Sequence, residues 1–584
     1  MNFEENAELK ELIRKTALLN AIKHDGKAQL GPVIGKVIGE KPELKTKAKE
    51  LSALVGQIIS EVNSLPLNQQ KSIIEEKWPE ALMKEKVEEE KRLPPLPNVE
   101  KYSQVVTRFS PNPDCVLHLG SARAIILCYE YARMYKGKFI LRFEDTDPKL
   151  KRPIPEFYNR IREDLAWLGC KPDEEYIQSD RISIYYEHAE RLLKDGNAYV
   201  CTCQSELFKK RILASQPCNC RDLSSEEHMQ RWRRMLNGGY KEGEAVLRVK
   251  TDLNHPNPAV RDWPALRIID SEKYPHPRVG SKYRVWPLYN FACGIDDHLM
   301  GVTHIIRGKE HLTNMVRQEY MYRHFGWKYP EAIHYGRLKI TGAYLSKSKI
   351  VQGIREGLYK GWDDPRLATF AALRRRGITP EAIKKMMVDV GPKTSDVVLS
   401  WENLYAYNRK ILDPVADRYF FVHNPVELTV KQIPRVFVAK LPLHPEKPER
   451  GFREYVVKPK GDDGLAAFWI SKRDVSLSKI GGILRLMELF NIKIEEVNSF
   501  SVEASFVSES YEEARKVKAP LIHWIPVGED MPCQVVMPDA TLAEGIAESA
   551  CKKLKPNMII QFERFGFVRI DKVDAKLIAY YTHK

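Results

Sequence analysis

No apolar run in the chain approaches the ~20 residues that a membrane-spanning helix needs. The opening residues, MNFEENAELKELIRK, are charged where the apolar core of a secretory signal would lie. Both absences argue against a membrane or exported protein, and the cytoplasm is the expected compartment. Cysteine is sparse, ten in 584 residues, which excludes a disulfide scaffold. Four of those ten cluster, and clustered thiols in a reducing compartment point to metal. Acidic residues are in deficit: 93 Lys and Arg against 78 Asp and Glu leave +15, with a pI near 9.1. That surplus permits a polyanionic partner without naming one. With 43% apolar and 29% charged residues the composition is that of a soluble globular protein, and the length calls for about three to five domains.

The chain is organised around Val105 to Asp147. A β-branched run breaks at Pro111 and Pro113, passes through His118-Leu119-Gly120-Ser121 into an apolar helical run from Ala122 to Tyr135, and returns as a strand, Phe139 to Phe143. This strand, turn, helix, strand order predicts the opening of a nucleotide-binding parallel sheet. A helix start offers unpaired N–H groups and partial positive charge, so the region after His118 suits polyphosphate. Gly120 permits close backbone approach, and His118 can donate to a phosphate oxygen.

Far downstream stands Leu345-Ser346-Lys347-Ser348-Lys349-Ile350. The pair resembles the His-Ile-Gly-His and Lys-Met-Ser-Lys-Ser signatures of class I aminoacyl-tRNA synthetases, in the right order. The surroundings narrow the resemblance: Arg108-Phe-Ser-Pro-Asn-Pro, Phe143-Glu-Asp-Thr-Asp, and Asp296 through Arg307-Gly-Lys-Glu. Nearly the whole chain is similar to glutamyl-tRNA synthetases of the archaeal and eukaryotic type. Ser121 replaces the second histidine of the first signature and Tyr344 the first lysine of the second.

The expected architecture is multidomain α/β with a Rossmann-like catalytic domain. Residues 1–95 read as a helical appendage, with helices over Ala7 to Ile22, Pro42 to Ser64 and Ser72 to Arg92, and a Gly-punctuated turn from Gly26 to Lys36. The first catalytic half is expected at 96–200 and the second, with the Lys347 loop, at 286–350. Between them, 201–285 reads as an insert. The resemblance makes it the acceptor-stem-binding domain. Its Cys201, Cys203, Cys218 and Cys220 can satisfy tetrahedral structural Zn²⁺. Its basic stretches, Lys209 to Arg211 and Arg231-Trp-Arg-Arg234, combine cations with an aromatic suited to a splayed RNA end, a solvated helix face being the competing reading. Residues 351–412 read as a helical module, which the family uses to contact the tRNA stem. Short strands dominate 413–584 and predict β-barrels; the resemblance makes these anticodon-binding.

The resemblance also implies roles. ATP would be held by His118, Gly120, Ser121, Leu338, Ser346, Lys347 and Ser348, with His118 and Lys347 catalytic and Leu338 reading adenine through its backbone. Glutamate would be held by Arg108, Asn112, Glu144, Tyr289 and Arg307; arginines suit bidentate carboxylate recognition. Trp362, Arg366, Asn408 and Arg409 are expected to touch tRNA, and Asp145 and Asp147 to touch the tRNA end or brace the pocket. Mg²⁺ accompanies ATP. The implied activity is ATP-dependent ligation of L-glutamate to tRNA(Glu) by a monomer, with tRNA(Gln) open as a second acceptor. Alternatives are a glutaminyl-tRNA synthetase, disfavoured by Arg307, and a noncatalytic tRNA-binding protein, disfavoured by the presence of both His118 and Lys347.

Overall fold

The computed structural model describes residues 7–24, 26–41, 44, 48–78, 92–342, 347–477, 479–498 and 500–584. The chain divides into two compact units, Met1–Lys91 and Arg92–Lys584. In the first, helices Ala7–Lys23, Leu30–Glu40, Ala48–Ser64 and Leu67–Lys77 enclose a core that includes Ile13, Leu18, Val33, Val37, Val55, Val62 and Ile74. The expected turn from Gly26 to Lys36 is mostly helix. Val33 and Val37, four apart, are fully buried, and their burial offsets the ~1 kcal/mol that each interior glycine costs a helix. Gly26 does turn the chain, at φ +89°, and its carbonyl accepts from the buried Gln70 amide at 2.9 Å. The charged run expected to continue the last helix as far as Arg92 lies, apart from Arg92 itself, outside the described residues.

The second unit begins with three parallel strands, Val106–Phe109, Lys138–Phe143 and Glu174–Ile177. Strands His304–Gly308 and Glu331–Tyr335 form a further parallel pair. The two groups meet where Thr303 brackets Val106: its N–H donates to the Val106 carbonyl at 3.0 Å, and its hydroxyl accepts from the Val106 N–H at 2.8 Å. Helix Leu119–Met134 packs over the first strands and buries Ile125, Ile126, Leu127 and Tyr131. An antiparallel sheet of four strands, Ala198–Cys201, Val246–Val249, Pro264–Ile268 and Val285–Pro287, stands between the two halves.

Helices Phe370–Arg376, Pro380–Val390 and Trp401–Leu412 follow. Then come two curled seven-stranded sheets. In one the edge strands are Arg418–Tyr419 and Phe421–His423; in the other they are Leu521–Ile522 and Ile525–Pro526. The edges of each sheet are thus neighbours in sequence, so the ring is completed by the chain itself rather than by a ladder. Strand alternation explains how residues 418–423 serve both sheets: Phe420 enters one core, while Tyr419 and Phe421 enter the other. Helix Phe370–Arg376 stops at Gly377 (φ +83°), where a Cβ would stand 2.7 Å from the Thr582 hydroxyl.

Candidate active site

His118 is the N-cap of helix Leu119–Met134, and its Nδ1 accepts from the Gly120 N–H at 3.0 Å. In the neutral ring the proton therefore sits on Nε2, and burial keeps the ring neutral by lowering its pKa. The helix start is less open than its sequence implies. The Leu119 N–H donates to the Ala368 carbonyl at 2.9 Å, the Gly120 N–H to His118, and the Ser121 N–H to the His118 carbonyl at 2.8 Å. The amides expected to cradle phosphate are thus already paired, leaving the His118 Nε2 and the positive end of the helix dipole as the features facing a polyanion.

Leu338 lies in strand Leu338–Ile340, parallel to Val397–Leu399. Val397 donates to the Arg337 carbonyl and Thr341 to the Leu399 carbonyl, both at 2.9 Å. That alternation turns the N–H and C=O of Leu338 away from the partner strand. Arg123 fixes the approach: its buried guanidinium donates to the carbonyls of Gly336 (2.7 Å), Gly391 (3.0 and 2.7 Å) and Lys393 (3.0 Å). Gly336 is required there, because a Cβ would stand 2.1 Å from the Ser395 carbonyl oxygen. Ser346 lies outside the described residues; Lys347 opens helix Lys347–Arg355, with Ser348 exposed beside it.

The proposed amino-acid pocket is brought together from four segments. Arg108 and Arg142 both donate to Asp297, at 2.9 and 2.7 Å, and Arg142 also reaches Glu144 at 3.0 Å and the Cys293 sulfur at 3.2 Å. The paired guanidiniums hold the Asp297 carboxyl well below the carboxylate range against the opposing effect of burial. Glu144 goes the other way: burial raises its pKa more than Arg142 and Arg108 lower it. Asn112 donates to the Lys151 carbonyl at 3.2 Å while its Oδ1, like the Ser110 hydroxyl, is buried without a partner among the described residues. Arg307 is 5% exposed and reaches the Tyr289 hydroxyl at 3.5 Å. Arg142, Asp297, Gln318, Tyr329 and His334 also belong to this cluster, and sequence reasoning missed them.

In the insert, the sulfurs of Cys201, Cys203, Cys218 and Cys220 lie within 4.8 Å of one another. Cys201 and Cys218 are 3.8 Å apart, as are Cys203 and Cys220. Tetrahedral Zn–S bonds near 2.3 Å imply sulfur separations of about 3.8 Å, so the donor set fits zinc. The Thr202 N–H (3.5 Å) and Arg231 (3.4 Å) donate to the Cys220 sulfur and favour its thiolate.

Several expected RNA contacts face protein instead. Trp232 is fully buried, because His228, Trp232 and Met235 make the apolar face of helix Ser225–Leu236. Asp145 is fully buried, accepting from the Ser179 N–H (2.8 Å), the Ser179 hydroxyl (2.7 Å) and the Tyr158 hydroxyl (2.6 Å); it braces the sheet edge. Asn408 is also fully buried; its Oδ1 accepts from the Thr379 N–H at 2.8 Å and its Nδ2 meets His583 at 3.0 Å. Arg366 is paired with Asp364 at 2.8 Å and Asp147 with Arg267 at 2.9 Å, whereas Arg409, which donates to the Lys584 carbonyl at 2.8 Å, is exposed. Trp362 lines an open cavity of about 570 Å³ with Arg160, Arg374, Arg375 and Arg569.

The family model for the class I (E and Q) tRNA synthetase catalytic domain matches residues 104–414, and the two for the anticodon-binding domain match 416–509 and 521–571. The chain belongs to the class I tRNA synthetases of this E and Q group. Within the group it is 55% identical to the glutamate–tRNA ligase of Pyrococcus furiosus over 584 residues, covering 99% of this chain and 100% of that one. Against the glutamate–tRNA ligase of Pyrococcus abyssi it is 56% identical over 583 residues, with the same coverage. A solved glutamate tRNA ligase structure from Elizabethkingia meningosepticum, in complex with its amino acid, is 23% identical, with a TM-score of 0.40 over 54% of this chain and 70% of that chain.

Proposed function

We propose that the protein activates L-glutamate with ATP and transfers it to the 3′-terminal adenosine of tRNA(Glu), releasing AMP and diphosphate. The observation that carries this reading is Arg307, a buried guanidinium whose partners among the described residues are all neutral. An unpaired buried charge is costly, and a substrate carboxylate would remove that cost. The substrate ammonium would lie between Glu144 and the unpartnered Asn112 Oδ1, with Arg108 addressing the α-carboxylate through its remaining Nη1. Binding of the ammonium would favour the ionised form of Glu144, which burial alone disfavours.

Attack of the carboxylate on the α-phosphate needs positioning and neutralisation of pyrophosphate charge more than covalent help. The His118 Nε2–H would supply one donor, Lys347 would supply a cation, and Mg²⁺ would travel with the nucleotide. The backbone of Leu338, free of its ladder, suits the adenine edge. Cys201, Cys203, Cys218 and Cys220 would hold Zn²⁺, which when bound cross-links two segments of the insert and does no chemistry on the substrate.

Charging assays with purified tRNA(Glu) and tRNA(Gln), each with glutamate or glutamine, test the reading. Glutamate-dependent charging of tRNA(Glu) is expected. Preference for glutamine, or no charging at all, would sink it.

A further inference from the structure

Arg307 has five N–H groups, and four neutral acceptor atoms stand around them at 3.0–3.5 Å, Gln318 Oε1 being shared by both Nη atoms; these contacts are longer than the about 2.7–2.9 Å of a charge-assisted bond, so they orient the guanidinium without taking the place of a carboxylate. Nε donates to His334 Nε2 at 3.4 Å. Nη1 donates to the Tyr289 hydroxyl at 3.5 Å and to Gln318 Oε1 at 3.2 Å, and Nη2 to Gln318 Oε1 at 3.2 Å and the Tyr329 hydroxyl at 3.0 Å. Every acceptor is a neutral group. The contrast with the neighbouring arginines is sharp, since Arg108 and Arg142 share the carboxylate of Asp297.

Gln318 stands at the centre of this arrangement. It is fully buried on helix Leu312–Phe325. Its Oε1 receives both Nη atoms and also the Tyr329 hydroxyl at 2.8 Å, while its Nε2 donates to the Asn290 carbonyl at 3.4 Å. A carbonyl cannot donate, so the amide orientation is determined from both ends. Tyr329 spends its one proton on Gln318 and therefore meets Arg307 as an acceptor. The guanidinium is held in place by dipoles, and no carboxylate among the described residues is paired with it.

We propose that Gln318 is a positioning residue that sets the acid specificity of the pocket: it orients Arg307 with a neutral oxygen and so leaves the neutralising charge to the substrate side chain. A glutamate at 318 would have the same shape and would supply in advance the charge that the amino acid is selected to bring. The proposal rests on the glutamate reading above. The two fail separately, because wild-type charging tests that reading and a specificity ratio in the variants tests this one.

The experiment is steady-state charging of tRNA(Glu) by wild type, Gln318→Glu and Gln318→Met, with glutamate and glutamine each titrated. In Gln318→Glu the ratio of kcat/KM for glutamate to that for glutamine is expected to fall by roughly tenfold or more, chiefly through the KM for glutamate. Gln318→Met keeps the Arg307 charge uncancelled, so its KM for glutamate rises while its ratio stays within about threefold of wild type. If Gln318→Glu lowers activity with both amino acids equally, or if Gln318→Met loses the ratio to the same extent, the proposal is overturned. Should Gln318→Glu fail to fold, His334→Glu places a carboxylate at the Nε edge of Arg307 from a half-buried strand position. The same fall in ratio is then expected, and an unchanged ratio overturns the proposal.

Discussion

Arg108 and Asp297, 189 residues apart in the chain, meet in a two-point ion pair, Nε to Oδ1 at 2.9 Å and Nη2 to Oδ2 at 3.3 Å. Arg142 shares the same carboxylate, so one buried acid serves two buried guanidiniums. Asp297→Asn would leave both cations short of a counter-charge. We expect a stability loss of about 3–5 kcal/mol, read as a lower denaturant midpoint, together with a higher KM for glutamate. An unchanged midpoint would show that the pair is not structural.

Arg307→Lys keeps the charge and discards the planar fork. A compact ammonium cannot reproduce the orientation held by Gln318, Tyr329 and His334, so kcat/KM for glutamate should fall by roughly a hundredfold. The KM for ATP should move little. An equal rise in both KM values would point to general disruption.

For the cysteine cluster, elemental analysis of protein purified without chelator should give one zinc per chain. Cys203→Ser should lose it, with a lower Tm and faster proteolysis between residues 201 and 220. Metal-free wild-type protein of undiminished Tm would refute the assignment.

Lys347→Ala should abolish adenylate formation and leave tRNA binding largely intact. Normal turnover in that variant would remove Lys347 from the chemistry.

His523 is buried; its Nε2 meets the Phe421 carbonyl at 2.8 Å and its Nδ1 meets Arg564 at 3.2 Å. Burial, aided by Arg564 and opposed by Asp474, lowers its pKa to about 4. The unfolded value is about 6.5, so the unfolded chain takes up the proton first. The stability contribution is therefore complete above pH ~6.5 and is lost as the pH falls towards about 4. His228, His311, His334 and His583 are lowered to about 4 as well and add to the same trend. The denaturant midpoint should fall between pH 7 and pH 5, and by less in His523→Asn. An equal fall in that variant would exclude His523 as a contributor.

The elements legible in the sequence are those whose signal is local. The turn at His118, the thiol pairs at 201–203 and 218–220, and the short strands after 413 each follow from nearby residues, and each is present. What stayed hidden depends on partners far away in the chain. Asp297, in an Asp-Asp doublet, looks like a solvated helix end until the fold brings Arg108 and Arg142 to it. Trp232 among arginines suggests a stacking platform, yet helical spacing aligns it with His228 and Met235 on the buried face. Asn408 suggests RNA only because its buried partners, Thr379 and His583, cannot be paired with it by inspection.

The sharing of residues 418–423 by two cores orders the assembly of everything that follows. All the strands of one curled sheet fall between Pro425 and Pro526, while the other takes its edges from 418–423 and the rest from Asp530 onward. One sheet is therefore nested inside the other along the chain. As the polypeptide emerges from the ribosome, the inner sheet can be complete while the outer one still waits for its later strands, with Tyr419 and Phe421 exposed to solvent. That interval is when this region is most open to aggregation, and substitutions that slow closure of the outer sheet should lower the yield of folded protein before they affect any measured rate.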